Sequence, residues 1–333
     1  MADTNDAAAA GDMRAVLQRG YGGPEVLEYG RAARPVPGRG RVLLRVAAAG
    51  VDRGTWHLMA GRPYAVRAAL GPRRPRDPAT GLDVAGTVVA VGPGVTDRRV
   101  GDEVFGTARG SFAEYAVTRA DRIAAKPARL GFEEAAVLAV SGLTALQGLR
   151  TAGRLRSGQR VMITGASGGV GTYAVQLAKV FGAEVTAVCG PAKAELVRSL
   201  GADRVLDYTR EDVTAVDSRY DLVLDLAGSL PVARLRRVLT PRGTLVVAGG
   251  EDDGNWLGLH RQFRALVTSP FTRQRLTALV SLQNRAGLEE LAELVAAGSV
   301  TPSIGAVFPL ERAAEALELL VSGGARGKIA LTV

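Results

Sequence analysis

The 333-residue sequence is poor in the residue types that form cross-links and bind metals. It contains one cysteine, Cys189, and two histidines, His57 and His260. A disulfide within the chain is therefore impossible, and a cysteine-rich zinc site is excluded. A reducing cytoplasm is the expected location. No apolar run reaches the roughly 20 residues that span a bilayer, so we expect no membrane partner.

Several other signals are absent. The opening stretch, "MADTNDAAAAGD", has neither the basic start nor the apolar core of a signal peptide, and residues 1–12 are predicted to be a disordered tail. The sequence lacks the G-x-S-x-G elbow of serine hydrolases, and no G-K-[ST] follows its glycines. The net charge of +9 comes from dispersed arginines, densest in "GPRRPR" at 71–76. Dispersed charge affects solubility and non-specific association, so we do not expect a nucleic-acid partner.

The length suits two domains, and the pattern changes along the chain. Up to about residue 130, short apolar stretches such as "RVLLRVAAAGV" (41–51) alternate with glycine and proline, which predicts a β-rich domain. Beyond a helical stretch, apolar strands alternate with helices, which predicts a parallel, doubly wound sheet. This α/β prediction includes a helix over "LPVARLRRVL" (230–239) and a further strand within 273–283. The last helix and the strand "KIALTV" are expected to pack on the first domain.

The densest glycine cluster follows the first strand of the parallel region, in "RVMITGASGGVG" (160–171). Glycine after a strand allows a tight turn, close approach of the backbone to a diphosphate, and packing of the next helix on the strand. The amino terminus of that helix offers free N–H groups and partial positive charge to an anion. The predicted dinucleotide contacts are Gly165, Ala166, Ser167, Gly168, Gly169, Val170 and Gly171.

The end of the next strand indicates which dinucleotide is bound. Enzymes that use NAD carry an acidic residue about 20 positions beyond the glycines, where it binds the ribose. Here that position is Gly190, with Lys193 close behind and Tyr208 after the following strand. A site with no carboxylate and a nearby cation favours the 2′-phosphate of NADPH.

Several further segments, in order, resemble the medium-chain dehydrogenase/reductase superfamily, in its zinc-free quinone oxidoreductase branch. They include "GLDVAGTVVAVGPGV", "GSFAEYAV", "AAVLAVSGLTALQGL", "LTPRGTLVVAGG" and "ARGKIALTV". The resemblance implies a GroES-like catalytic domain over 13–133 and 284–333, with a Rossmann cofactor domain over 134–283. It also implies a homodimer and additional cofactor contacts from Thr144, Ala248, Gly249, Gly250, Arg326 and Lys328.

The resemblance also bears on the chemistry. Zinc-dependent relatives have a cysteine where this chain has Asp52, and a "GHE" motif where it has "GLD", with Leu82 replacing the histidine. Leucine cannot coordinate zinc, so no metal is expected. Reduction of an activated C=C bond of an enone, enal or quinone needs mainly positioning and hydrogen-bond donors for the enolate oxygen. The candidate catalytic residues are Asp52, His57 and Tyr64.

Two alternatives to this NADPH-dependent reductase remain open. The chain could be a binding or regulatory protein that uses NADPH as a ligand. It could also be a biosynthetic enzyme that catalyses dehydration or cyclisation with no net redox change. Product mass separates the last case from a reductase, because only reduction adds two hydrogens.

Overall fold

The computed structural model describes residues 11–215, 219–248 and 260–333. Most of the predicted tail, together with Gly249 and Gly250, lies outside these residues. The first strand begins at Asp12, so the predicted tail is one residue too long at this end.

Fifteen strands are described in this part of the chain. In chain order they are β1 (Asp12–Gln18), β2 (Leu27–Ala33), β3 (Arg41–Val51), β4 (Asp83–Val91), β5 (Glu103–Thr107), β6 (Tyr115–Arg119), β7 (Ile123–Ala125), β8 (Arg160–Thr164), β9 (Glu184–Cys189), β10 (Arg204–Asp207), β11 (Tyr220–Asp225), β12 (Leu239–Val247), β13 (Arg275–Ala278), β14 (Ile304–Pro309) and β15 (Lys328–Thr332).

Ten α-helices accompany them in the described ranges. They are α1 (Arg53–Ala60), α2 (Arg67–Leu70), α3 (Phe132–Ala136), α4 (Ala139–Gln147), α5 (Gly169–Val180), α6 (Ala194–Ser199), α7 (Val232–Leu235), α8 (His260–Thr268), α9 (Arg285–Ala296) and α10 (Ala313–Val321).

The strands form two large sheets and a hairpin. The first large sheet has the order β14-β15-β3-β4-β5-β7, with β6 paired to β3, and β1 and β2 form a separate antiparallel pair. The C-terminal strand β15 pairs with β3, which confirms that the end of the chain returns to the first, β-rich part. The second sheet has the order β10-β9-β8-β11-β12-β13, and all its pairings are parallel.

The second sheet is the doubly wound sheet that the strand–helix alternation predicts. Its order is that of a Rossmann fold, whose direction reverses between β8 and β11, and ligands bind at the carboxyl ends of the strands at such a reversal. Strands β8, β9 and β11 are almost wholly buried, which explains their continuous apolar sequences. The loop after β8 therefore lies at the edge where a dinucleotide is expected.

One hydrophobic cluster joins the two sheets. It contains Ala85 and Phe105 from the first sheet, Ile163 from the second, and Tyr173 of α5. This packing joins the first sheet to α5 and to the second sheet. The residue bounds assigned to the two domains from the sequence stay a prediction.

Two predicted elements are shorter in the structure. The predicted helix over 230–239 is the single turn α7 followed by a 3-10 turn, and β12 already begins at Leu239. The predicted strand within 273–283 is confined to β13. The Gln147 side chain binds both the N–H and the C=O of Leu282, at 2.9 and 2.7 Å, so this backbone is held by a side chain of α4 and not by a strand.

Candidate active site

The glycine loop joins β8 to α5 in a tight turn. Gly165 has φ of +65°, a left-handed conformation that favours glycine, and the Gly168 N–H donates to the Gly165 carbonyl at 3.0 Å. A Cβ at Gly171 would stand 2.2 Å from the Gly165 carbonyl oxygen, so only glycine lets α5 pack this closely. Within the described residues, no side chain caps the amino terminus of α5. The residues present therefore fit a diphosphate at this turn.

The remaining loop residues line the same turn in different ways. Ala166 and Ser167 are buried, and the Ala166 N–H donates to the Val188 carbonyl of β9 at 3.1 Å. Gly168 is exposed, and Gly169 and Val170 are half-buried. The exposed part of the loop is thus its glycine-rich backbone.

At the end of β9, the structure brings together the residues predicted to select the dinucleotide. The Tyr208 hydroxyl lies 3.5 Å from the place a Cβ at Gly190 would occupy, and Tyr208 is 64% exposed. The Lys193 Nζ donates to the carbonyls of Gly323 and Ala325, at 2.7 and 2.6 Å. Burial, and then the positive charge of Arg326, hold the pKa of Lys193 below its usual range. The Tyr208 hydroxyl and the cations Lys193 and Arg326 therefore lie near the carboxyl end of β9.

A buried polar junction lies beside α4, and it joins the predicted cofactor residue Lys328 to Asp83 and Ser141, which the sequence did not single out. The Lys328 Nζ is 3.3 Å from Asp83 Oδ2 and 3.0 Å from Ser141 Oγ. The other oxygen of Asp83 accepts from the Val140 N–H at 2.7 Å, and the Thr144 hydroxyl donates to the Val140 carbonyl at 2.7 Å. For Asp83 and Ser141, the signal in the sequence is a polar residue within an apolar run, in "GLDVAG" and in "AVSGL".

Asp52 lies beside this junction at the start of α1. It is 5% exposed, and its Oδ1 accepts from the Thr55 N–H at 2.8 Å, so it is the N-cap of the helix. Its Oδ2 has no hydrogen-bond partner among the described residues. A Cβ placed on Gly54 would meet both Asp52 Oδ1 and Leu82 Cδ1, at 2.9 and 3.4 Å. Asp52 and Leu82 are therefore neighbours, as the comparison of motifs expects.

The other two catalytic candidates lie further along the chain. His57 is in the last turn of α1, with its ring centroid 4.8 Å from that of Trp56 in an edge-on arrangement. Tyr64 lies in the turn beyond α1, where its ring stacks 4.5 Å from the Arg67 guanidinium. Both side chains are half-buried. Asp52 at the start of α1 is thus close enough to Asp83 to influence its charge, while His57 and Tyr64 lie in the last turn of α1 and beyond it.

A second buried network supports the carboxyl ends of β8 and β11. The Thr164 hydroxyl donates to Asp225 Oδ1 at 2.6 Å, and Arg261 of α8 donates to Asp225 Oδ2 at 2.5 Å. Thr164 also accepts the N–H groups of Leu226 and Ala227. The network fixes the turn after β11 against the glycine loop. His260, the first residue of α8, is exposed.

The described residues offer neither a metal cluster nor a membrane-spanning helix. In the described ranges, no group of three or more His, Cys, Asp or Glu side chains is placed to hold a metal ion. None of the helices described is both long and apolar enough to cross a bilayer.

A glycine-built turn at the reversal point of a Rossmann sheet, packed against a second β-rich unit, is typical of a dinucleotide-dependent oxidoreductase. Family comparisons agree with this class. Residues 38–128 match the alcohol dehydrogenase GroES-like domain, and residues 200–331 match a family described as zinc-binding dehydrogenase.

Individual relatives match nearly the whole chain. The chloroplast envelope quinone oxidoreductase homolog of Arabidopsis thaliana is 34% identical over 95% of this chain and 97% of its own length. The NADPH-dependent alkenal/one oxidoreductase of the same plant is 33% identical over 98% of this chain and 81% of its own length. The solved quinone oxidoreductase of Coxiella burnetii has a TM-score of 0.86 at 28% identity, covering 97% of this chain and 100% of that one. The chain belongs to the medium-chain dehydrogenase/reductase superfamily, in its quinone oxidoreductase-like branch.

Proposed function

We propose that this oxidoreductase uses NADPH to reduce the activated C=C bond of an enone, enal or quinone, without zinc. The observation that carries the proposal is the uncapped amino terminus of α5, reached through a loop that only glycine can build. The similarity to an NADPH-dependent alkenal/one oxidoreductase supports both the cofactor and the substrate class.

The choice of NADPH rests on the residues around the carboxyl end of β9. A 2′-phosphate needs donors and positive charge, and Gly190 leaves room for it where NAD-dependent enzymes have a carboxylate. Tyr208 supplies a hydroxyl, and Lys193 and Arg326 supply charge. We expect Lys193→Met to raise the Kd for NADPH about tenfold, equivalent to the loss of one charge-assisted hydrogen bond, and to leave the Kd for NADH unchanged. Equal losses for both nucleotides would contradict this assignment.

Independence from zinc rests on the chemistry of the residues and not on the family description, which speaks of zinc binding. Leu82 occupies the position of the motif histidine beside Asp52, and an aliphatic side chain cannot coordinate a metal. Asp52 is already engaged as the N-cap of α1. Dialysis against a chelator should therefore leave turnover unchanged, whereas a proportional loss that added zinc restores would refute this point.

The reduction needs little from the protein beyond orientation and a donor for the substrate oxygen. When bound, the reduced nicotinamide supplies a hydride to the β-carbon of the substrate. Asp52 caps α1 through its Oδ1, so its role is to anchor this helix. His57 and Tyr64 each carry a group that can donate to the oxygen as the enolate forms, and one solvent-derived proton then completes the reduction at the α-carbon.

The proposal is tested by following NADPH absorbance with a panel of quinones, enones and enals. We expect oxidation with at least one class, and products that have gained two hydrogens. Tight NADPH binding without oxidation of any acceptor would favour a binding protein. A product of unchanged redox state would favour a dehydratase or cyclase.

We further propose a cytoplasmic homodimer. The edge strand β13 is flanked by large exposed apolar side chains, which is typical of an interaction surface. They include Phe263 and Phe271 before the strand, which are 68% and 87% exposed, and Val280 and Leu282 after it, which are 74% and 65% exposed. Light scattering tests this. We expect a dimer for wild type and a monomer for Val280→Lys.

A further inference from the structure

A cavity that the proposed reaction does not use lies at the amino-terminal end of β3. Its volume is about 430 Å³, which is within the range of small-molecule sites. A strand rises about 3.3 Å per residue, so the length of β3 places the cavity roughly 30 Å from Asp52, which follows the other end of the strand. The charged side chains that line the cavity are Arg39, Arg41, Arg119, Arg285, Asp97 and Asp121.

Two of these arginines are paired with the two carboxylates. Arg119 donates to both oxygens of Asp121, at 2.9 and 2.5 Å, and Arg285 of α9 donates to Asp97 Oδ2. These hydrogen bonds hold the pKa of each aspartate below its usual range, so both carboxyl groups are ionised at neutral pH. Each carboxylate is therefore already matched by one guanidinium.

The other two arginines leave an excess of positive charge. Within the described residues, no carboxylate lies within ion-pair distance of Arg39 or Arg41. Arg41 of β3 lies directly opposite Arg119 of β6 in the antiparallel pair, so their side chains share one face of the sheet. Like charges placed opposite each other destabilise a sheet, and Asp121 can neutralise only one of the two. An anion between them would remove the remaining repulsion.

Arg39 lies against the backbone of the same cavity. A Cβ on Gly94 would stand 3.8 Å from Arg39 Cγ and 3.9 Å from Arg39 Nε, so this side chain passes over the turn that follows β4. The Gly40 N–H donates to the Pro93 carbonyl at 2.8 Å, and the Gly40 carbonyl accepts from the Ala120 N–H at 3.1 Å. These bonds join the segments that carry the arginines, so the guanidinium groups extend from a fixed backbone.

We propose that this cavity binds a small oxyanion with at least two negative charges, as carried by a phosphorylated or multiply carboxylated small molecule. Arg39 and Arg41 supply the unmatched charge. A guanidinium can donate two parallel hydrogen bonds to phosphate or carboxylate oxygens, so both kinds of anion suit the site. The site is separate from the diphosphate turn at α5, and the proposal does not depend on the proposed function.

The experiment titrates pyrophosphate and, separately, citrate into the protein by calorimetry at low ionic strength. Saturating NADPH occupies the turn at α5, and the same titrations without NADPH keep the test independent of the proposed cofactor. The variants are R39Q, R41Q and the control R237Q, which removes an exposed arginine next to β12.

We expect saturable binding of at least one of the two anions to wild type. The Kd should rise about tenfold in R39Q and in R41Q, which is the loss expected for one charge-assisted hydrogen bond, and should be unchanged in R237Q. Binding of pyrophosphate alone would identify a phosphorylated ligand, and binding of citrate alone a carboxylated one.

Thermal unfolding provides a second measurement. Because Arg41 lies opposite Arg119, R41Q without added anion should unfold at the same temperature as wild type or at a higher one. The anion that binds should raise the Tm of wild type and R237Q, and should raise that of R39Q and R41Q much less. No saturable binding to wild type, equal weakening in R41Q and R237Q, or a lower Tm for anion-free R41Q than for wild type would overturn the proposal.

Discussion

Replacement of Gly171 by alanine tests the geometry of the cofactor loop most sharply. The added Cβ would lie 2.2 Å from the Gly165 carbonyl oxygen, and 2.5 and 2.6 Å from the carbonyl oxygen and carbon of Ala166. These are backbone atoms, so no side chain can rotate to relieve the contact, and α5 must move away from β8. Overpacking of this kind costs about 1–3 kcal/mol, against which the better helix propensity of alanine returns about 1 kcal/mol.

We therefore expect a net loss of up to about 2 kcal/mol in the free energy of unfolding, measured with urea. The effect on NADPH should be larger, because a displacement near 1 Å at a positioning element can cost about 100-fold. Gly168→Ala is the matched control for stability, since its Cβ meets only the Gly165 oxygen, at 3.3 Å. If G171A bound NADPH as tightly as wild type, the proposal that this loop binds the diphosphate would be refuted.

Three further substitutions test other parts of the structure. Asp52→Ala should lower the free energy of unfolding by about 1 kcal/mol, because α1 loses its cap. Asp52→Asn can still cap the helix and should not lower it. Equal losses for the two variants in urea unfolding would argue against capping. Arg261→Met should cost about 3–5 kcal/mol, because it leaves Asp225 buried without its charged partner, and R261M/D225N should recover much of this loss in the same assay. For Lys328→Met, the stability deficit should grow by about 1.4 kcal/mol per pH unit above pH 7. The folded-state pKa of Asp83 is raised, so folding is favoured while Asp83 is protonated. Without Lys328, the penalty for ionising Asp83 extends to higher pH. A difference in the free energy of unfolding between K328M and wild type that stays constant from pH 7 to 9 would contradict this.

The features that the sequence predicted well depend on local patterns. Strand β3 covers the same residues as the apolar stretch 41–51, and the loop after β8 turns where its glycines indicate. The hydrogen bonds from Lys193 to the carbonyls of Gly323 and Ala325 could not be predicted, because they link segments that are distant in the sequence. For the same reason, the pairs Lys328–Asp83 and Arg261–Asp225 left no periodic signal.

The two shortened elements show how tertiary contacts override a local pattern. The apolar residues after β13 resemble a continuing strand, but the Gln147 amide binds the Leu282 backbone instead. The residues around α7 have helical periodicity, but β12 begins early because Leu239 joins the parallel sheet beside Tyr220 of β11. In both places a partner distant in sequence decides the conformation.

The central claim is that this chain transfers hydride from NADPH to a carbon–carbon double bond. The most direct measurement supplies NADPH deuterated at the transferable position together with an enone, and determines product mass and label position. The account predicts a saturated carbonyl product with one deuterium at the β-carbon and one solvent-derived hydrogen at the α-carbon. A product without deuterium, or an unsaturated product of unchanged mass, would contradict it.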